Sequence, residues 1–180
     1  MTVLPNFQYY ELWLTSHSIR SAVSRLAREI EEDYCDTNHL VLLGVLKGSF
    51  IFLADLIREL DIPTKIEFIT LSSYERNKQA VGPIRVWSEP SKRHLEEEDI
   101  LIVEDIVDTG ETIKFLKSRL LDSNPDSVKV CTLLQRSTSK IQADYIGFHL
   151  EREEYVVGYG LDDKNFFRDL PDIYILKEEK

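Results

Sequence analysis

The chain has 180 residues and a mass of 21.0 kDa, a length that fits one compact domain. Its 22 Lys and Arg against 32 Asp and Glu give a formal net charge of −10 at pH 7. Proteins that bind nucleic acid usually carry a basic surface, so this balance argues against nucleic acid as a partner. It does not exclude a small anionic ligand, because one local basic loop can bind a phosphate whatever the net charge.

Membrane insertion and secretion are also disfavoured. The longest apolar runs, at 40–43 and 100–103, are far shorter than the roughly 20 residues of a membrane span. Residues 1–6 lack the basic and apolar regions of a signal peptide. Cys35 and Cys131 form no CxxC pair, which is typical of reduced thiols in a cytoplasmic protein. We therefore expect a cytoplasmic protein with no membrane partner.

Hydrophobic periodicity predicts alternating helices and strands. Ile19, Val23, Leu26 and Ile30 recur at helical spacing behind Ser18, a candidate N-cap. Beyond this helix at 18–34, the pattern predicts strands at 39–46, 65–71, 100–103 and 127–134, a short strand at 85–88, and helices at 50–60 and 111–121. Strands that alternate with helices indicate an α/β fold whose parallel sheet has right-handed crossovers.

Residues 141–180 have a different pattern, rich in aromatic residues. They contain short runs that predict β segments at 145–148, 155–158 and 173–176. We interpret this part as a small lobe over the sheet, called the hood. The sequence thus predicts a single domain in which helices flank a twisted parallel sheet, with a core at about 18–140 and a hood at about 1–17 and 141–180.

Three carboxylates follow the apolar run of the strand predicted at 100–103. Glu104 and Asp105 are adjacent, and Asp108 comes three residues later. Capping of the following helix explains one acid, but not three within five positions. Carboxylates in this setting can accept hydrogen bonds from sugar hydroxyls, hold Mg²⁺ or act as a base.

The turn after these acids is suited to bind an anion. Thr109, Gly110 and Thr112 open a predicted helix, where backbone N–H groups, hydroxyls and the helix dipole favour phosphate. A ribose 5-phosphate that also carries a Mg²⁺-bound pyrophosphate would use the acids and the turn together. In doubly wound sheets, ligands bind at the carboxyl ends of the strands, where this segment lies.

These residues resemble a known family. The segment 104–110 (EDIVDTG) is similar to the phosphoribosyl-diphosphate (PRPP) motif of the type I phosphoribosyltransferases, in the form found in their hypoxanthine/guanine branch. Four further segments resemble the family's pyrophosphate loop, mobile catalytic loop, purine motif and second pyrophosphate motif, at 46–49, 72–74, 155–162 and 167–170. The five motifs occur in the family's order and cover nearly the whole chain.

The resemblance implies the type I phosphoribosyltransferase fold and a role in purine salvage. The expected reaction is Mg²⁺-dependent transfer of the 5-phosphoribosyl group from PRPP to N9 of hypoxanthine or guanine. The products would be IMP or GMP and pyrophosphate. Because the family forms dimers and tetramers, we expect a homodimer or homotetramer.

The resemblance also assigns the acidic segment its roles. Asp108 would be the general base and acid near N7 of the purine. Glu104 and Asp105 would hold the ribose hydroxyls, directly or through Mg²⁺. The 5-phosphate would be bound by the loop at 108–112, which consists of Asp108, Thr109, Gly110, Glu111 and Thr112.

The pyrophosphate would be bound by Lys47, Gly48 and Arg168, again by resemblance. In the family the peptide bond that precedes this lysine is often cis. Ser73 and Tyr74 would close over the transition state and exclude water that would otherwise hydrolyse PRPP.

The purine would stack on Tyr155 and meet backbone groups of Val156, while Asp162 would hold a second Mg²⁺. One departure concerns the contact with the exocyclic O6, where the family usually has a lysine and this chain has Arg136. Arginine keeps the charge but is a planar fork, so the preference among hypoxanthine, guanine and xanthine stays open. The other interpretation of this stretch is that Arg136 points to solvent and Gln135 is an edge residue.

Two further functions stay open at this point. One is an enzyme for another base, such as xanthine or adenine. The other is a non-catalytic regulator that binds PRPP or a nucleotide on the same fold, since fold resemblance alone does not fix function. The presence of Asp108, Ser73 and Tyr74 and the acidic composition favour the enzyme.

Overall fold

The structure is a computed structural model that describes residues 9–72, 75–76, 79–80, 84–151 and 154–177. Its helices are α1 (Ser16–Asp33), α2 (Phe50–Glu59) and α3 (Glu111–Leu120). Its strands are β1 (Tyr10–Leu14), β2 (Leu40–Leu46), β3 (Thr64–Ser72), β4 (Glu75–Arg76), β5 (Gln79–Ala80), β6 (Arg85–Ser88), β7 (Asp99–Val107), β8 (Ser127–Arg136), β9 (Tyr145–Leu150), β10 (Val156–Val157) and β11 (Ile173–Leu176). Strands β4 and β5 pair with each other as a separate two-stranded sheet.

A six-stranded sheet in the order β6-β3-β2-β7-β8-β9 forms the centre of the fold. Strands β3, β2, β7, β8 and β9 are parallel, and β6 runs antiparallel to β3. The predicted α/β class with a parallel sheet is therefore confirmed. Because β2, β7 and β8 run in the same direction, their carboxyl ends meet at one edge of the sheet.

The core lies on both faces of this sheet. Leu42 and Leu101 belong to the apolar cluster that includes α1 and α2, whereas Leu43 and Ile102 belong to the cluster that includes α3. Successive strand residues point to opposite faces, so strands covered on both sides must be continuously apolar. This explains why β2 and the first half of β7 show no polar alternation.

Helix α1 begins two residues before the predicted position. Thr15 is its N-cap, and its hydroxyl oxygen accepts a hydrogen bond from the Ser18 N–H at 3.2 Å. The Asp172 carboxylate accepts a second hydrogen bond, from the Ser16 N–H at 2.6 Å. The prediction of Ser18 as N-cap is therefore wrong. Thr15 satisfies the Ser18 N–H, and Asp172, which is distant in sequence, satisfies the Ser16 N–H.

A small antiparallel sheet in the order β1-β11-β10 joins the two ends of the chain, in agreement with the predicted small lobe. The placement of a β segment at 145–148 in the hood is wrong, however. Strand β9 extends the central sheet, in parallel with β8 and with Tyr145 opposite Cys131. The main sheet thus continues beyond residue 140, because Tyr145 and Leu150 are buried in the core that contains α1.

None of the helices in the described part of the chain has the length and apolar character needed to span a membrane.

We expect Leu42→Ala to lower the free energy of unfolding by about 2–5 kcal/mol, because Leu42 is fully buried at the centre of the sheet. Leu12→Ala is the matched control. Leu12 is 50% exposed in β1, so its loss should change stability by less than about 1 kcal/mol. Urea unfolding of both variants measures the difference, and equal losses would contradict the position of β2 in the core.

Candidate active site

Two adjacent carboxylates mark the carboxyl half of β7. Glu104 is buried, and one of its carboxylate oxygens lies 3.3 Å from the Asp105 backbone N–H. The Asp105 carboxylate accepts a hydrogen bond from the Ile106 N–H at 2.9 Å. The strand continues to Val107, four residues beyond its predicted end, so the strand itself holds both acids at the edge of the sheet.

Burial sets the protonation of this pair. It raises the pKa of the Glu104 carboxyl well above its usual range, and the negative charge of Asp105 raises it further. Burial also raises the pKa of Asp105. Hydrogen bonds with Glu104 and with the Ile106 N–H lower this pKa, but the effect of burial is larger. Two neighbouring carboxylates removed from water are stabilised when one of them is protonated or when a cation binds beside them.

The loop after β2 comes close to this pair. A Cβ atom at Gly48 would overlap the Asp105 carboxylate, so any side chain at this position would have to displace that acid. The carbonyl of Gly48 in turn occupies the space that a side chain at Gly160 would need. The peptide bond before Lys47 is cis, as the resemblance predicts. A cavity of about 240 Å³ is lined by Lys47, Gly48, Glu104, Asp105 and Thr112, together with neighbouring apolar residues.

The turn before α3 has the geometry of an anion site. Gly110 is the N-cap residue and has a φ of 83°, a conformation that favours glycine. The helix starts at Glu111, and the Thr109 hydroxyl oxygen accepts a hydrogen bond from its N–H at 3.4 Å. Backbone N–H groups at the start of α3 therefore point toward the same sheet edge as the acids.

Asp108 and Arg136, which are both predicted to face the purine, contact each other. The Arg136 Nε lies 2.5 Å from a carboxylate oxygen of Asp108. The Arg136 side chain is only 11% exposed, whereas that of Asp108 is 57% exposed. The interpretation that Arg136 points to solvent is therefore wrong. Gln135 is buried as well, and its amide oxygen accepts a hydrogen bond from the Ala143 N–H.

The hood completes the site. The Tyr155 hydroxyl donates to the backbone carbonyl of Asp162 at 2.7 Å, which holds the half-exposed ring in place. The Tyr155 carbonyl accepts from the Leu176 N–H, so strand alternation turns the backbone groups of Val156 away from β11. A cavity of about 280 Å³ lies here, lined by Tyr155, Val156, Asp162, Asp105, Asp108, Arg136 and neighbouring residues.

Arg168 fixes the part of the hood that follows β10. Its guanidinium donates to the carbonyl of Gly160 at 2.5 Å and forms an ion pair with Asp162 at 2.5 Å. The positive charge of Arg168 also acts on Asp105 and lowers its pKa, in opposition to burial. Arg168 is therefore close enough to Asp105 for its positive charge to stabilise an anionic group bound beside the acid pair.

The structure brings together most of the predicted residues and adds two that the sequence pattern missed. Ser73 and Tyr74 lie outside the described residues. Glu154 lines the cavity beside Tyr155, and its carbonyl accepts a hydrogen bond from Arg136 at 3.3 Å. Lys140 lines a neighbouring cavity. Neither belongs to a motif, and only the fold brings them to this edge.

A metal site made of protein groups alone is absent from the described ranges, which contain no cluster of three or more His, Cys, Asp or Glu with suitable geometry. Mg²⁺ does not require one, because it is usually held by one or two carboxylates together with substrate phosphates and water. The buried carboxylate of Glu104 and the partly buried carboxylate of Asp105 fit that kind of site.

Comparison with known proteins identifies the family. The family model described as phosphoribosyl transferase domain matches residues 14–164. A hypoxanthine-guanine phosphoribosyltransferase from Dictyostelium discoideum is 38% identical over 175 residues, which cover 94% of this chain and 96% of the relative. One from Aquifex aeolicus is 36% identical, with 93% and 95% covered.

Solved structures agree with these relatives. A hypoxanthine-guanine phosphoribosyltransferase from Bacillus anthracis superposes with a TM-score of 0.83 at 34% identity, covering 92% of this chain and 97% of its own. A hypoxanthine phosphoribosyl transferase from Trypanosoma cruzi superposes with a TM-score of 0.86 at 34% identity, covering 97% and 95%. The resemblance seen in the sequence is confirmed, and the chain belongs to the phosphoribosyltransferase family.

Proposed function

We propose that the chain transfers the 5-phosphoribosyl group of PRPP to N9 of hypoxanthine or guanine, releases pyrophosphate, and so serves purine salvage. The observation that carries the proposal is the contact of Asp108 with Arg136, next to the turn before α3 that has the geometry of an anion site. The similarity to enzymes named hypoxanthine-guanine phosphoribosyltransferase over more than nine-tenths of the chain supports it.

The pair formed by Asp108 and Arg136 matches one edge of a 6-oxopurine. N7 and O6 lie side by side on that edge, and a guanidinium is well suited to donate to O6. When the base enters, its edge replaces the direct ion pair: Arg136 donates to O6 and Asp108 accepts from N7–H. The ring then stacks on Tyr155, whose hydroxyl is already held by Asp162.

The proton transfer follows from this geometry. N9 of the N7–H tautomer forms the bond to C1′ of the ribose, and the bond from C1′ to the pyrophosphate oxygen breaks. The proton on N7 passes to the Asp108 carboxylate, which keeps the purine neutral as the new bond forms. Asp108 is suited to this role because it is half-exposed and lies within reach of the cavity.

Charge that develops on the leaving pyrophosphate is stabilised on the opposite side of the ribose. Lys47 and the backbone at Gly48 line that cavity, and Arg168 lies near Asp105. We propose that Glu104 and Asp105 hold the ribose hydroxyls, directly or through Mg²⁺, and that Asp162 binds a second ion. Mg²⁺ would neutralise the phosphate oxygens and polarise the bond that breaks. The residues themselves supply position and fixed charge.

Arg136 gives one specific reason to consider a second base preference. A guanidinium is a planar fork and a lysine ammonium is a point charge, so the two approach O6 with different geometry and can position the base differently. A non-catalytic regulator is not favoured by any feature of the site, since Asp108 lines the purine cavity with an exposed carboxylate.

We also propose a cytoplasmic homo-oligomer. Phe50, Phe68 and Trp87 are exposed aromatic residues on α2, on β3 and on the neighbouring edge strand β6. Exposed apolar surface of this kind often marks a protein–protein contact. A solved relative whose name refers to its oligomeric state is similar over 97% of this chain.

The direct test is Mg²⁺-dependent release of pyrophosphate from PRPP with hypoxanthine or guanine, compared with Asp108→Asn. We expect the wild type to turn over and the variant to lose about 100-fold or more in kcat, because the amide cannot take the N7 proton. PRPP affinity should change by less than about threefold. Equal losses in turnover and PRPP affinity would show that Asp108 is a binding residue, and tight nucleotide binding without turnover of any purine would defeat the proposal.

Arg136→Lys should change the ratio of kcat/KM among hypoxanthine, guanine and xanthine, because a point charge replaces a planar fork. We expect at least one of these ratios to change by about fivefold. A competition assay with all three bases measures the ratio. Unchanged ratios would mean that Arg136 does not touch the base.

A further inference from the structure

A cavity of about 570 Å³ adjoins Asp108, and part of its wall belongs to none of the five motifs. Thr109 and Glu111 contribute from the start of α3, and Arg136 and Tyr155 from the proposed purine site. The remaining wall comes from the turn after β8 and includes Lys140. This cavity therefore joins the start of α3 to a lysine that the proposed function does not use.

The turn that carries Lys140 packs against the loop at 108–112, where the 5-phosphate is proposed to bind. A Cβ atom at Gly110 would lie 2.8 Å from the Ile141 Cβ and 3.2 Å from the Ser139 hydroxyl oxygen, the two residues that flank Lys140. Within the turn, the Ser139 N–H donates to the Arg136 carbonyl at 3.0 Å. The buried amide of Gln135 donates to the Ile141 carbonyl at 3.2 Å. Position 140 is therefore fixed beside the N-terminus of α3.

The charges around this cavity leave one cation available for a ligand. Arg136 is engaged by the Asp108 carboxylate and the Glu154 carbonyl. Lys140 forms no ion pair with any of the described residues. Glu111 and Glu154 line the same cavity with negative charge, which disfavours a phosphate dianion unless a cation opposes it.

We propose that Lys140 is a binding residue for the 5-phosphate of PRPP and of the nucleotide product, and that Glu111 weakens the same interaction. The inference rests on the proposed function, which places the 5-phosphate at residues 108–112. Lys140 is proposed to contact the 5-phosphate end of PRPP and not its pyrophosphate end. The cavity lined by Lys47 and Gly48, where the pyrophosphate is proposed to bind, does not include it.

Calorimetry with ribose 5-phosphate and, separately, with pyrophosphate tests this role on the full chain. Lys140→Gln should weaken ribose 5-phosphate by about fivefold, as expected for loss of one partly exposed charge contact. Its affinity for pyrophosphate should stay unchanged. Glu111→Gln should strengthen ribose 5-phosphate by about twofold to threefold. Lys177→Gln, at an exposed lysine after β11, removes the same charge away from the site and should have no effect.

Kinetics give a second readout. Lys140→Gln should raise the KM for PRPP by about fivefold and change kcat by less than about twofold, because the contact is made equally in the ground and transition states. An unchanged affinity for ribose 5-phosphate, an equal loss in Lys177→Gln, or an equal loss for pyrophosphate would overturn the proposal. So would failure of the wild type to bind ribose 5-phosphate. Absence of turnover alone would count against the proposed enzyme but not against this contact, since calorimetry needs no reaction.

Discussion

The close approach of the backbone at Gly48 to the Asp105 carboxylate holds the site together. Because position 48 has no side chain, the loop after β2 can lie directly against the acids of β7. The carbonyl of the same residue fills the space beside Gly160, so the hood contacts the loop from the other side. One small contact area thus fixes three segments that are far apart in sequence, and each of them carries polar groups for the same cavity system.

This arrangement explains how a protein with a net charge of −10 can bind an anionic ligand. Glu104 is buried and Asp105 is partly buried, and burial raises the pKa values of both carboxyls, so they favour a proton or a cation rather than repelling a ligand at long range. Lys47 lines the same cavity as that pair, and the positive charge of Arg168 acts on Asp105. Glu104 is the only buried acid among the residues that the structure describes, so the other negative charges there are screened by salt. Local charge, and not the total, decides what this edge binds.

Features that depend on local pattern could be predicted from the sequence. The continuous apolar runs predicted β2 and the first half of β7. Thr109, Gly110 and Thr112 indicated the turn before α3. Features that depend on distant partners could not. The ion pair between Asp108 and Arg136 joins the ends of two strands. Helix α1 starts earlier than predicted, with Thr15 as its cap, and Asp172 from the hood accepts a hydrogen bond from the Ser16 N–H. Lys140 lies on a turn with no motif.

The measurement that tests the account most directly is the activity of Gly48→Ala with PRPP, Mg²⁺ and hypoxanthine. The added methyl group overlaps the Asp105 carboxylate, so either this carboxylate or the loop must move from its position in the site. We predict a loss of about 100-fold or more in kcat/KM, as expected for displaced binding groups, with cooperative urea unfolding retained. Activity close to that of the wild type would contradict the claim that this contact assembles the site.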